Sequence, residues 1–204
     1  MRPDLEVVAG MVPVGSRVLD LGCGDGALLA HLIAERGCDG HGIEIDGDDV
    51  LACIAAGVPV SEGDIEDALR DFTDGAFDVV LLSWTLQTTR RPSAVLAGMM
   101  RVAPVGVVSF PNFGHWRLRS ALALQGRMPS SPTLPQAWDD TPNIHMCTLA
   151  DFAALTDSLH LRVRERVLLG SDRGPTGGLV SLRPNLLAAA AVCRLERTAG
   201  AAPA

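Results

Sequence analysis

A single-domain α/β fold, built on a mostly parallel sheet wound with helices on both faces, is what this sequence predicts, and three observations carry that expectation. The chain has 204 residues, 48% of them hydrophobic, enough for one sizeable core and too few for two domains of ordinary size. Short apolar runs alternate with helix-length stretches whose apolar residues recur at three and four spacing. The polar residues that end successive runs stand at regular intervals: 24 residues from Asp20 to Glu44, 20 from Glu44 to Asp64 and 19 from Asp64 to Ser83, about one βα unit each time.

The runs that read as buried strands are Arg17–Leu21, Gly40–Ile45, Val58–Ser61, Phe77–Ser83 and Val105–Phe110, each bounded by glycine or an acid. Between them Gly26–Arg36, Gly47–Ala56, Ile65–Asp71 and Pro92–Arg101 read as helices. After Phe110 the alternation stops. Residues 111–145, rich in Pro, Gly and polar side chains around the amphipathic stretch His115–Gln125, read as an insertion that covers a site. Leu149–Leu159 reads as a helix, with Pro142 and Thr148 marking its start. Arg162–Leu169 and Leu186–Leu195 read as a closing pair of strands joined by the Gly-rich Gly170–Gly178, which brings the expected sheet to seven strands. One domain over residues 1–197 and a disordered tail over 198–204 complete the reading.

The composition excludes several chemistries. With 17 basic against 24 acidic residues the net charge is -7, so no summed basic field exists to hold a phosphate backbone, and nucleic acid is not the expected partner. All the basic residues are arginine, and there is no tyrosine. A pyridoxal Schiff base, an amine nucleophile, a P-loop lysine and the Tyr and Lys pair of short-chain dehydrogenases are therefore absent. The wealth of Ala, Gly, Arg and Pro matches a GC-rich codon bias and carries no function by itself. The five cysteines, Cys23, Cys38, Cys53, Cys147 and Cys193, are odd in number and never closer than fifteen residues, so neither a disulfide framework nor a metal site is indicated, and a reducing cytoplasm is expected. No run of 18 apolar residues occurs, and Met1-Arg2-Pro3-Asp4 lacks the layout of a signal peptide, so the expected protein is soluble and meets no membrane.

Chemistry concentrates where the first strand ends. Val18-Leu19-Asp20-Leu21-Gly22-Cys23-Gly24-Asp25-Gly26-Ala27 is a strand, a glycine turn and a helix start, an arrangement that lets a ligand approach the backbone at a helix N-terminus. Two ligands compete for it. Gly22, Gly24 and Ala27 satisfy the dinucleotide fingerprint, with Glu44 placed for a ribose diol. Asp20 separates the two, because a dinucleotide has no use for a carboxylate there, whereas the ammonium of S-adenosylmethionine does. On that reading Asp20 lies at the methionine end, Glu44 takes both ribose hydroxyls, and Asp64 lies near the adenine amino group. The alternative is that Asp20 and Asp64 cap the helices that follow them.

Over about residues 15–110 the chain resembles the class I methyltransferase superfamily through Asp20-Leu21-Gly22-Cys23-Gly24-Asp25-Gly26. A narrower resemblance spans nearly the whole chain. Met1-Arg2-Pro3-Asp4-Leu5, Gly42-Ile43-Glu44-Ile45-Asp46, Leu86-Gln87 with Arg90-Arg91-Pro92, Val108-Ser109-Phe110-Pro111-Asn112-Phe113-Gly114-His115-Trp116, Gly126-Arg127-Met128-Pro129 and Asp140-Thr141-Pro142-Asn143-Ile144-His145 are similar to the MetW family of methionine biosynthesis proteins. That resemblance implies a class I methyltransferase-like fold and a site for S-adenosylmethionine or S-adenosylhomocysteine. Its residues would be Asp20, Gly22, Cys23, Gly24, Glu44, Ile45, Asp64, Ile65 and Ser83. It also implies a protein partner, the homoserine O-acyltransferase MetX.

Methyl transfer itself has thin support in the sequence. No Asn-Pro-Pro-Tyr or Asp-Pro-Pro-Tyr follows the fourth strand, only Ser83-Trp84-Thr85-Leu86-Gln87. No catalytic residue is assigned; His115 is the candidate base, with the ordering of the Asn112–Trp116 turn as its other reading, and His145 is a weaker one. Arg90, Arg91, Arg117, Arg119 and Arg127 gather positive charge in an acidic chain, where they would meet a carboxylate or an acidic protein face, or only solvent. Trp116 and Trp138 flank the insertion as interface anchors or as a lid.

Overall fold

The structure, a computed structural model, describes residues 2–198. The chain opens with helix α1 (Pro3–Gly10), which has Pro at its first turn and Asp4 and Glu6 beside it, the side-chain types that suit a helix N-terminus. Four βα units and a fifth strand follow: β1 (Arg17–Leu21), α2 (Ala27–Arg36), β2 (Asp39–Glu44), α3 (Gly47–Ala55), β3 (Val60–Glu62), α4 (Ile65–Asp71), β4 (Val79–Ser83), α5 (Pro92–Val102) and β5 (Val105–Pro111). The later elements are α6 (Trp116–Gln125), α7 (Leu149–Ser158), β6 (Leu161–Leu169), β7 (Pro175–Thr176), two four-residue helices α8 (Leu179–Leu182) and α9 (Pro184–Leu187), and β8 (Ala190–Arg197).

The strands form one sheet in the order β3-β2-β1-β4-β5-β8-β6-β7. β1 to β5 are parallel, and β8 slots antiparallel between β5 and β6. Parallel strands are covered on both faces and read as continuous apolar runs, as in Val79-Val80-Leu81-Leu82. On one face Leu69, Leu96, Met99 and Phe152, from α4, α5 and α7, pack on Leu19, Leu21, Leu82 and Phe110. On the other, Val8, Leu29, Leu32 and Cys53, from α1 to α3, pack on Val18, Leu81 and Val107. Alternation along β1 puts Asp20 on the same side as Val18. The winding reverses between β1 and β4, and in open sheets of this kind a ligand lies outside the carboxyl ends of the strands at that reversal.

Several sequence boundaries move. The sheet has an eighth strand, because Pro175–Thr176 within the Gly170–Gly178 connection pairs with Leu168 and Leu169. α1 is new. The last strand begins at Ala190, not Leu186: Pro184 starts a helical turn there, and the Asn112 side-chain amide donates to the carbonyls of Asn185 (3.1 Å) and Ala188 (2.8 Å), which holds the backbone off the sheet. β3 starts at Val60, two residues later than expected. Phe77 and Asp78 precede β4, since the Asp78 carboxylate is taken up by the Arg17 backbone N–H (2.8 Å) and guanidinium. Thr148 opens α7 through a capping box with Asp151, as its position before an apolar helix suggested. Of the expected disordered tail, residues 199–204 lie outside the described residues.

In the segment 111–145, Asn112 is fully buried. Its Oδ1 accepts from the N–H groups of Gly114 (3.0 Å) and Leu149 (3.3 Å). α6 then projects with only Leu118 buried, and the rest returns as an irregular loop with a single bridge between Ser131 and Leu134.

Candidate functional site

Two adjoining cavities open at the carboxyl ends of β1, β2, β3 and β4. The first, about 520 Å³, is lined by Asp20, Gly22, Cys23, Gly24 and Ser83 together with Arg2, Leu5, Asp49 and Trp84. The second, about 440 Å³, is lined by Glu44, Ile45, Asp64 and Ile65 together with Thr85, Thr88, Arg90 and Pro142. Gly22, Asp49 and Trp84 line both, so the two form one bent trough. All nine residues singled out in the sequence line this trough.

Asp20 is 2% exposed, and its Oδ1 has no hydrogen-bond partner. Burial, and then the neighbouring Glu44 carboxylate, push its carboxyl up to about 7. A buried acceptor left without a donor is costly. A cationic donor in the first cavity would satisfy it. Glu44 is also buried, at 8% exposure, and it ties the turn together: its Oε2 accepts from the Gly24 N–H (2.8 Å), and its Oε1 from those of Ile45 (2.7 Å) and Asp46 (3.0 Å). The residue expected only to hold a ribose therefore also holds the protein's own backbone. A carboxylate has about four acceptor positions, so three protein donors leave Oε2 with room for one more.

Asp64 behaves differently from Asp20. It is the N-cap of α4, accepting from the Glu66 N–H (2.8 Å), and its other oxygen meets the Arg90 guanidinium at 3.2 Å. Capping and cavity lining thus coincide at Asp64, while Asp20 caps no helix. Ile45 is 66% exposed beside the partly buried Ile65, two apolar side chains that suit a flat aromatic base. The glycine turn is tight. Gly22 has φ +72°, and a Cβ there would lie 2.7 Å from Thr85 Oγ1, so only glycine leaves the wall intact. Within the turn Cys23 Sγ lies 3.8 Å from Cys53 Sγ; burial pushes both thiols up. Ser83 Oγ is engaged with Ser109 Oγ at 2.9 Å.

His115 lines neither cavity. It is the N-cap of α6, its Nδ1 accepting from the Arg117 N–H at 3.4 Å, and burial and Arg117 both lower its basicity. That is the turn-ordering arrangement weighed for it in the sequence. His145 is exposed, and the backbone N–H groups of Ile144 and His145 donate to the Gln87 carbonyl (2.8 and 3.0 Å), which sets Pro142 on the rim of the second cavity. Only this end of the 111–145 segment reaches the trough; no α6 residue lines it. Among the described residues, no three or more His, Cys, Asp or Glu side chains group as a metal site would require. None of the described helices is long and apolar enough to cross a membrane.

Sequence reasoning missed Trp84 and the contribution of α1. Trp84 adopts φ +59°, its Nε1 donates to Asp4 Oδ2 at 2.7 Å, and the Arg173 guanidinium lies 4.5 Å from its ring centroid. Pro3 followed by Asp4 and Glu6 was the available signal for the helix. Nothing in the sequence pairs Asp4 with a residue 80 positions away.

The residues present suit S-adenosylmethionine: an unpartnered buried carboxylate for an ammonium, a glycine turn that a Cβ would block, a carboxylate with one acceptor position for a ribose hydroxyl, and an apolar bracket for a base. The profile of a family described as "Methionine biosynthesis protein MetW" matches residues 2–195. A bifunctional methionine biosynthesis protein MetXA/MetW from Rhodopirellula baltica is 34% identical over 183 residues, covering 85% of this chain and 29% of its own length. Norajmaline N-methyltransferase from Rauvolfia serpentina is 27% identical over 144 residues, covering 66% of this chain and 48% of its own. The chain thus spans less than half the length of either relative. Among solved structures, an S-adenosylmethionine-dependent methyltransferase from Mesorhizobium loti superposes with a TM-score of 0.68 at 17% identity, covering 94% of this chain and 96% of that one, a likeness of fold.

Proposed function

The chain belongs to the MetW family of methionine biosynthesis proteins, and from that premise we propose that it binds S-adenosylmethionine in the trough and acts on a protein partner, the homoserine O-acyltransferase MetX. The observation that carries this reading is the relative from Rhodopirellula baltica, whose name joins MetXA and MetW in one polypeptide. A covalent tether keeps two modules at high effective concentration, and where the modules are separate chains an interface must do the same work. Asp20 would take the ligand's ammonium, Glu44 a ribose hydroxyl, and Ile45 and Ile65 the base; when bound, the ligand supplies an activated methyl group and, as a product made from methionine, a measure of supply. The wall of the first cavity supports a role other than methyl transfer: among the described residues it holds no histidine, its thiol is held protonated by burial, and Asp20, the carboxyl raised to about 7, is the group that would pair with the ligand's own ammonium and so would not be free to deprotonate an acceptor. The five cysteines are free thiols, which fits the reducing cytoplasm.

The surface that faces the partner would be the one centred on α6. Trp116, Leu122 and Leu124 are exposed there, Arg117 lies 5.4 Å from the Trp116 ring, and Met128 follows in the loop, side-chain types that anchor interfaces. The second reading is a methyltransferase acting on a small molecule, favoured by the similarity to norajmaline N-methyltransferase. The two separate in one experiment. The chain is co-purified with the homoserine acyltransferase, and acyl transfer is measured with and without S-adenosylmethionine, then repeated with Trp116→Ala and Arg127→Ala. Loss of one anchor is expected to weaken the complex about thirtyfold, the equivalent of 2 kcal/mol, with ligand affinity unchanged. An acyltransferase indifferent to the wild-type chain, beside turnover of S-adenosylmethionine with a cell-extract acceptor, replaces the partner reading with the enzyme reading.

A further inference from the structure

We propose that Trp84 makes the trough select a sulfonium over a thioether, so that S-adenosylmethionine binds in preference to its demethylated product. The proposal rests on the reading of the trough given above. A ligand with its amino acid in the first cavity and its nucleoside in the second has the linking sulfur at the joint between them. Three residues build that joint: Gly22, Asp49 and Trp84. A glycine, a carboxylate and an indole offer a positive charge everything it seeks and a neutral thioether no comparable attraction. S-adenosylmethionine carries a positive sulfur; S-adenosylhomocysteine does not.

The indole is held too firmly to be filler. Its backbone sits at φ +59°, a conformation that bulky side chains avoid, and such outliers persist only where their surroundings over-determine them. Here the Trp84 N–H donates to the carbonyl of Ser109 (2.9 Å) and to its hydroxyl (3.1 Å), and the Trp84 carbonyl accepts from the Gln87 side-chain amide (2.6 Å). At the far end of the side chain, Nε1 donates to Asp4, which is fully buried. Arg173 lies 4.5 Å from the ring centroid and covers one face of the indole, while Trp84 itself lines both cavities and Arg173 lines neither, so the residue that meets the ligand at the joint is the tryptophan. An aromatic face desolvated in a pocket favours a cation by about three- to thirtyfold. A protein built this way reports the methyl donor and is not silenced by the spent product.

The test is calorimetric titration of the whole chain with S-adenosylmethionine, S-adenosylhomocysteine and sinefungin, whose amine places a positive charge where the sulfonium stands. It is run on wild type, Trp84→Leu and Trp84→Phe. Both variants lose the bond to Asp4, but only phenylalanine keeps an aromatic face, so their difference isolates that face. Wild type is expected to bind S-adenosylmethionine and sinefungin at least threefold tighter than S-adenosylhomocysteine. Trp84→Leu should erase most of that ratio, and Trp84→Phe should retain part of it. If leucine does not fold, as circular dichroism will tell, the ratio in Trp84→Phe decides: it should lie between wild type and unity. A ratio unchanged by either variant, a wild type that prefers the thioether, or sinefungin grouping with the thioether overturns the proposal while leaving the trough a nucleoside site. Failure of all three ligands to bind wild type overturns the reading of the trough itself.

Discussion

Acidification should weaken ligand binding through one carboxyl group, and the size of the effect follows from the environment of Asp20. Its side chain is 2% exposed, one oxygen has no partner, and burial followed by the charge of Glu44 raises its carboxyl from 3.8 to about 7. A carboxyl whose folded pKa is raised is protonated more readily in the native state than in the unfolded chain. Its contribution to stability is therefore complete below about 3.8 and is lost as pH rises through about 7. At about 1.36 kcal/mol per pH unit between those two values, the ligand-free protein forgoes on the order of 4 kcal/mol above pH 7. A ligand ammonium reverses the preference, because it pairs with the ionised form. Binding below pH 7 must then expel the proton, so affinity should fall about tenfold per pH unit and about a hundredfold by pH 5. Calorimetry at pH 6 in buffers of different ionisation enthalpy should register close to one proton released per ligand, and only about a quarter of one at pH 7.5. Asp20→Asn keeps the shape and removes the titration: its ligand-free form should melt higher than wild type at pH 8, and its weakened affinity should be flat with pH. An affinity independent of pH from 5 to 7.5, with no proton released, would refute the assignment of Asp20 to the ligand's cationic end.

Two further outcomes are expected. Glu44→Ala strips an acceptor from three backbone N–H groups as well as from the ligand, and losing charged hydrogen bonds costs about 1.5 to 3 kcal/mol. Melting temperature should drop by roughly 5 to 10 °C, and calorimetric affinity at least tenfold; a melting curve that does not move would mean that the turn holds without it. Gly22→Ala places a methyl 2.7 Å from Thr85 Oγ1 in a left-handed conformation, so it should abolish detectable binding, and pairing it with Thr85→Ser, which removes the Cγ2 methyl that the new Cβ would also meet at 2.8 Å, should recover part of the stability in thermal unfolding. Recovery of full binding by that pair would show that the turn tolerates a side chain.

The period of the sheet was legible because it is local. Each βα unit writes a short buried run, a polar strand end and a helix into about twenty residues, and β1, α4 and the start of α7 fall where that pattern puts them. The parts that sequence misread depend on contacts made far along the chain. Leu186-Leu187 looks like the start of a strand, yet the Asn112 amide, over 70 positions earlier, captures the Asn185 and Ala188 carbonyls and delays the strand to Ala190. Trp84 carried no role in the sequence, and its place became visible only once α1 brought Asp4 within reach of its ring nitrogen.

The difference between Asp20 and Asp64 was open to a closer reading. Both are aspartates at strand ends, and both can be taken for helix caps. Asp64 immediately precedes α4, the one position from which a short carboxylate reaches the second helical N–H, and it accepts from Glu66. Asp20 stands seven residues before Ala27, with three glycines between, too far for its side chain to reach the first turn of α2. A cap has to sit next to its helix. An acid that ends a buried strand and lies away from any helix start has only a ligand or a distant side chain to satisfy it, and at Asp20 no side chain among the described residues does so. The position of the following helix, more than the identity of the acid, distinguishes a carboxylate that serves the fold from one kept for something the protein binds.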